Sequence, residues 1–294
     1  MNVLISLHRG YGLGDCCQMS AVLRHVAKYR PHWKVDYQAE AGRYCAGNGV
    51  VNGTTFEYGK NPDPDKRYGA DVEICLYDTW ANWGDRPNTR VSSCLHERFG
   101  LGWDAECGRY QVGISDVDKR CAKILLPQDN LVALHYIGDS SQDKKNLTHS
   151  QANRICQEVD RLGYIPVILD WRRNCVLYDW RRVTSPTDWG NNIEMVCAVI
   201  SRCRAFVGID SGPSKCASAT DTPALVVWTG HHPAPFHDPA PNTTHLVPVG
   251  YHGLEPVCGD AGVIEWFEEN YNVRLYRDDP VREVCDWLGE TLTS

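Results

Sequence analysis

The sequence predicts an α/β protein built on parallel β-sheets. Short apolar runs alternate with helix-length stretches along the chain. The pattern restarts once, after Pro127-Gln128-Asp129-Asn130. In each half one strand runs straight into a glycine-containing turn that opens a helix. The chain has 294 residues, enough for two domains of about 130–150 residues each. The predicted division is 1–128, 131–278 and a final helix over 279–294.

In the first half, residues 3–7 form the first strand. The turn His8-Arg9-Gly10-Tyr11-Gly12-Leu13-Gly14-Asp15 follows. A helix then runs over 16–29 with Met19, Val22, Leu23 and Val26 at helical spacing, and Pro31 ends it. Residues 33–38 and 71–77 read as strands, and 48–67, rich in Gly, Asn, Asp and Pro, as loop. The polar and aromatic stretch 80–90 reads as a surface loop near the cleft.

In the second half, residues 131–136 form a strand and 137–146 a polar loop. Residues 148–162 form a helix, with Thr148 as N-cap and Gln151 three residues on in a capping box. Strands follow over 164–169, 205–209 and 224–228. Helices cover 192–203, 214–219 and 279–291.

Composition narrows the function classes. With 43% hydrophobic and 23% charged residues, the chain is an ordinary globular protein. A net charge of −7 disfavours non-specific coating of nucleic acid or anionic lipid. No apolar run approaches the ~20 residues that span a bilayer. The N-terminal run has no basic start and reads as a strand, not a signal peptide. Fourteen cysteines without a C-x-x-C pair read as reduced, mostly buried thiols, so a cytoplasmic location is expected.

Three constellations carry chemistry. The first is Gly12-Leu13-Gly14-Asp15, where glycines allow a tight turn and a helix N-terminus favours anions. It lacks the third glycine of the dinucleotide fingerprint and carries an acid. Asp15 either caps the helix or acts as a general base facing the cleft. The second is Asp210-Ser211-Gly212-Pro213-Ser214-Lys215 after the strand 205–209. Backbone N–H groups, two hydroxyls and a lysine can hold a diphosphate without a metal. The alternative is an Asp/Ser N-cap with a surface lysine. The third is the loop after the first strand of the second half, with Ser140 and Lys145. Ligands of open α/β sheets sit beyond the carboxyl ends of strands, which places this loop to supply a hydroxyl and a cation.

Together these blocks resemble the heptosyltransferase-like family, the glycosyltransferases related to the ADP-heptose:lipopolysaccharide enzymes. The resemblance lies in Gly12-Leu13-Gly14-Asp15 before a helix ending at Tyr29-Arg30-Pro31, in Lys145-Asn146-Leu147-Thr148, and in Asp210-Ser211-Gly212-Pro213 followed by Ala217, Ala219 and Thr222-Pro223. It implies a GT-B fold, two Rossmann-like domains facing across a cleft, with the acceptor on the N-terminal side and a nucleotide diphospho-sugar on the C-terminal side. The final helix is expected to pack back on the N-terminal domain. The resemblance further implies inverting transfer to a glycoconjugate hydroxyl without an essential metal or other cofactor, with Asp15 as general base. Gly12, Gly14, Ser140, Lys145, Asp210, Ser211, Gly212, Pro213, Ser214 and Lys215 are the donor-binding candidates. Relatives usually carry histidine where this chain has Lys215.

Two further features bear on alternatives. Trp171-Arg172-Arg173 and Trp180-Arg181-Arg182 interleave aromatics with cations, as a nucleic-acid strand would require. They motivate transfer to hydroxymethylated bases in DNA as a second function. Their structural reading is a solvated loop whose tryptophans pack on the domain. The segment His231-His232-Pro233-Ala234-Pro235-Phe236-His237 reads as a loop shaping the donor pocket, with a metal site as the alternative. A non-catalytic sugar-nucleotide or glycan-binding protein is the third reading.

Overall fold

The computed structural model describes residues 1–76, 89–138, 142–170, 175–177, 179–183, 192–254 and 261–293. It confirms a mixed α/β architecture with two parallel sheets.

The first half holds strands β1 (Asn2–Leu7), β2 (Lys34–Ala39), β3 (Thr55–Glu57) and β4 (Ala70–Ile74). They lie in the order β3-β2-β1-β4, every pair parallel. Between β1 and β2 runs helix α1 (Leu13–Tyr29). Helices α2 (Arg90–Cys94), continued by one π-helical turn at Leu95–Phe99, α3 (Ala105–Gly108) and α4 (Asp116–Leu125) complete this half. Two expectations change. The stretch 48–67 contains β3, because Phe56 supplies a buried apolar anchor beside β2. Arg90 begins a helix, with Thr89 as its N-cap, instead of ending a loop. The rest of the expected 80–90 loop falls outside the described residues.

The second half holds β5 (Leu131–His135), α5 (Gln142–Lys145), α6 (His149–Arg161), β6 (Ile165–Leu169), β7 (Arg181–Val183) and α7 (Ile193–Ser201). It continues with β8 (Ala205–Ile209), α8 (Gly212–Ser218), β9 (Ala224–Val227), α9 (Pro233–Phe236), β10 (Thr243–Pro248), α10 (Ala261–Asn270), β11 (Asn272–Tyr276) and α11 (Val281–Thr293). The seven strands run parallel in the order β11-β10-β9-β8-β5-β6-β7. Central strands such as β5 and β8 are buried along their whole length, as parallel strands covered by helices on both faces must be. The Thr148–Gln151 capping box forms as read.

One continuous core joins the halves. Val3, Ile5 and Leu7 of β1, and Val22 and Val26 of α1, share a cluster with Val196, Ile200, Phe206 and Ala217 of the second half. Helix α1 is therefore buried on nearly all sides, including Gln18, Ser20 and His25, not on one stripe alone. The cysteines are part of this filling. Cys17 Sγ lies 3.6 Å from Cys216 Sγ across the α1–α8 seam, and burial pushes the Cys17 thiol well above its usual range. A second cluster covers the other face of the large sheet. Here α11 packs on α6 through Val284 and Leu288. Tyr164 and Leu292 fasten that packing, with the Tyr164 hydroxyl donating to the Leu292 carbonyl.

Candidate active site

The strand order of the large sheet reverses between β5 and β8, the point at which open parallel sheets form a crevice at the carboxyl edge. His135 closes β5, and Asp210-Ser211 follows β8. The register sets His135 beside Gly208, so both segments emerge at the crevice.

Asp210 is buried there, its carboxylate 3.1 Å from His231 Nδ1. Burial would raise this carboxyl, but the His231 hydrogen bond and the charges of Lys215 and Lys145 outweigh it and hold it down to about 2. Lys145 and Lys215 are themselves almost fully buried. Two lysines and a carboxylate thus sit in one poorly solvated crevice, where electrostatic interactions are strengthened. Ser211 Oγ lies 3.1 Å from His135 Nδ1. Burial, then the Lys145 charge, pushes the His135 imidazole down to about 4. His135 was not singled out from the sequence. Only its place at a strand end marks it.

The predicted donor residues do not all fare alike. Ser211 begins α8 in extended backbone, and Gly212 and Pro213 form its first turn. Ser214 is buried and donates its hydroxyl proton to the Ile209 carbonyl, 2.5 Å away, which fastens the turn to β8. Gly138 N–H donates to Asn146 Oδ1, closing the loop that carries Lys145. Ser140 lies outside the described residues.

The first half contributes the start of α1. The helix begins at Leu13, earlier than expected, so Asp15 stands in its first turn. Gly12 N–H donates to Asp15 Oδ2 at 2.9 Å, which is the capping geometry. Asp15 Oδ1 faces Arg90 Nη1 at 3.4 Å, both groups buried. The turn itself departs from expectation. Gly10, at φ +89°, takes the left-handed conformation, whereas Gly12 is in extended backbone.

The two signature turns touch. A Cβ on Gly212 would lie 2.9 Å from Leu13 Cβ and 3.0 Å from Gly14 N. One on Gly14 would meet Lys215 Nζ at 3.2 Å and Gly212 Cα at 3.3 Å. Glycines at these two positions let the first turn of α1, which carries Asp15, pack this closely on the first turn of α8, which carries Lys215.

The segment 231–238 closes the crevice as α9 and its flanks. His231 stacks on Phe236 with ring centroids 5.0 Å apart. His232 and His237 are buried, and burial pushes each down to about 4. Among the described residues no group of three or more His, Cys, Asp or Glu is arranged to hold a metal ion. Of the paired Trp-Arg-Arg runs, Trp171-Arg172-Arg173 lies outside the described residues. Trp180 donates to Asn153, and Arg181 donates to Gln128 and the Leu125 carbonyl, so this run is tied into the domain. A separate groove of about 770 Å³ at the β10–β11 edge, lined by Tyr251, His252, Glu268 and Arg274, holds none of the predicted site residues.

Comparison with solved structures places the whole chain in one architecture. A glycosyl transferase family 9 protein from Veillonella parvula superposes with TM-score 0.68 over 99% of this chain and 97% of its own, at 11% identity. The E. coli ADP-heptose lipopolysaccharide heptosyltransferase II gives TM-score 0.64 over 100% and 99%, at 12% identity. The E. coli heptosyltransferase WaaC with ADP gives 0.57 over 92% and 100%, at 15% identity. The fold is that of these GT-B glycosyltransferases. No family model and no curated protein matches the sequence.

Proposed function

We propose that the protein is an inverting glycosyltransferase that moves a sugar from a nucleotide diphospho-sugar to an acceptor hydroxyl of a glycoconjugate. The observation that carries the reading is the contact between the two helix starts, one presenting Asp15 and the other Ser211, Gly212 and Lys215. Its fold, shared with known glycosyltransferases, supports the same reading.

In this reading the donor diphosphate lies over the β5–β8 crevice. Lys145, Lys215, Ser211 Oγ and the first N–H groups of α8 neutralise it. Asp15 accepts the proton of the acceptor hydroxyl as its oxygen attacks the anomeric carbon. The bond from that carbon to the diphosphate breaks, its electron pair leaves on the phosphate oxygen, and the anomeric configuration inverts. The protein's own cations supply the charge that a divalent metal would otherwise bring, so turnover is expected to survive a chelator.

The test is a thermal-shift series with ADP, UDP and GDP. A nucleotide at ~100 times its Kd stabilises by about 2.7 kcal/mol. Failure of all three to shift the transition contradicts the donor site. The tethering of Trp180 and Arg181 removes part of the case for modified DNA as acceptor. A non-catalytic binding role is the reading left if nucleotides bind but no donor turns over.

A further inference from the structure

Arg90 was read as the end of a loop, yet it is a buried group facing Asp15. It opens α2, is 6% exposed, and points its Nη1 at Asp15 Oδ1. Its guanidinium carbon stands 4.7 Å from the centroid of the Phe236 ring. A planar guanidinium suits this double duty, since it stacks through its face and donates through its edge.

The parts that hold Arg90 come largely from the other half of the molecule. Phe236 belongs to α9, and its ring also carries His231, which reaches Asp210 in the donor crevice. Two residues on, Asp238 accepts from Thr89 Oγ1 at 2.7 Å and from the Tyr110 hydroxyl at 2.9 Å. Its own N–H donates back to Tyr110 at 2.8 Å. Thr89 is the N-cap of α2, taking the Ser92 N–H on its hydroxyl oxygen. The donor half therefore grips the residue next to Arg90 and the face of Arg90 together.

We infer that Arg90 is a positioning residue that holds the Asp15 carboxylate toward the acceptor, and that segment 231–238 of the donor half sets Arg90 through Phe236 and the Asp238–Thr89 hydrogen bond. The inference rests on Asp15 being the base. Asp15 has one oxygen on the Gly12 N–H and the other on Arg90, which leaves one orientation for its remaining lone pairs. Without Arg90 the carboxylate is anchored at one oxygen only and can swing from the line of proton transfer. Misplacement of about 1 Å can cost about 10²-fold in rate.

The experiment measures nucleoside diphosphate release from ADP-glucose, UDP-glucose and GDP-mannose, with water or a soluble glycan as acceptor. Six proteins are compared: the native chain, Arg90→Gln, Arg90→Lys, Phe236→Leu, Asp15→Asn and the double variant of Arg90→Gln with Asp15→Asn. Arg90→Gln should lower kcat by about 10²-fold and leave the donor KM within a few-fold. The double variant should be no slower than Asp15→Asn, because Arg90 acts only through Asp15. Arg90→Lys should recover part of the loss and Phe236→Leu should show a smaller loss of the same kind, which covers the case in which Arg90→Gln does not fold. Losses that multiply in the double variant, or a native rate in Arg90→Gln, overturn the inference and leave the function standing. Native turnover in Asp15→Asn, or none by the native chain on any of these donors, overturns the base assignment and the inference with it.

Discussion

Helices α1 and α8 meet start to start, and their first turns are chemically opposite. Each presents free N–H groups and the positive end of a helix dipole, which attracts an anion. At α1 the protein supplies the anion itself, since Asp15 occupies the first turn and takes the Gly12 N–H. At α8 the first turn carries no acid; Lys215 belongs to the helix itself, and its charge and that of Lys145 act on Asp210 just before it. One start carries its own carboxylate, and the other is the proposed seat of the donor phosphate. The difference teaches that the side chain in the first turn decides whether a helix start carries its own anion.

The comparison breaks most visibly at Asp15. Asp15→Asn keeps an oxygen for the Gly12 N–H but removes the base, so kcat should fall by about 10²–10⁴-fold. Steady-state kinetics of the variant check this, and turnover within a few-fold of native would return Asp15 to a capping role alone.

A smaller effect probes the contact itself. Gly212→Ala would set a methyl 2.9–3.0 Å from Leu13 Cβ and Gly14 N, where the neighbour is backbone and cannot swing aside. Overpacking of this kind costs about 1–3 kcal/mol, visible as a lower denaturation midpoint. An unchanged midpoint would mean that the seam between the halves is looser than the contact distances indicate.

A third readout is pH. His135, His232 and His237 of the donor half are pushed down to about 4 by burial, and burial pushes His245 well below its usual range. Between an unfolded value of about 6.5 and these folded values, the unfolded chain binds protons that the folded chain refuses. Their contribution to stability therefore falls as pH drops from about 6.5 toward 4, by about 1.4 kcal/mol per pH unit for each histidine. Asp238 opposes them. Burial, the largest influence on it, raises it to about 6 against the pull of Thr89, Tyr110 and Lys215. Its stabilisation is present in acid and is lost as pH rises through about 6. Four histidines outweigh one carboxyl, so unfolding midpoints should decline across this window. The decline should steepen in Asp238→Asn.

Much of this was legible in the sequence, for physical reasons. The strand–turn–helix units around Asp15 and Asp210 are local, and so is the Thr148–Gln151 box. Each is written in residues within a few positions of one another. What escaped depends on distant partners. Gly10 and Gly12 cannot be told apart as turn formers until the backbone is known, and Gly14 and Gly212 matter only because they meet. Arg90 hid in a polar, aromatic stretch because its partners Asp15 and Phe236 lie 75 and 146 positions away. Strands β10 and β11 were missed because their sequences, Thr243–Pro248 and Asn272–Tyr276, mix polar residues with apolar ones. Their burial comes from neighbours, His245 being fully enclosed among Trp228, Phe267 and Tyr271.

The central claim is that the open start of α8, and not the filled start of α1, holds the donor diphosphate. Its most direct test is the thermal shift given by ADP, UDP or GDP in Asp15→Asn and in Lys215→Ala. A charge-assisted hydrogen bond is worth about 1.5–3 kcal/mol. Lys215→Ala should therefore lose most of the shift, while Asp15→Asn keeps it in full. A shift lost equally in both variants, or retained in Lys215→Ala, would contradict the account.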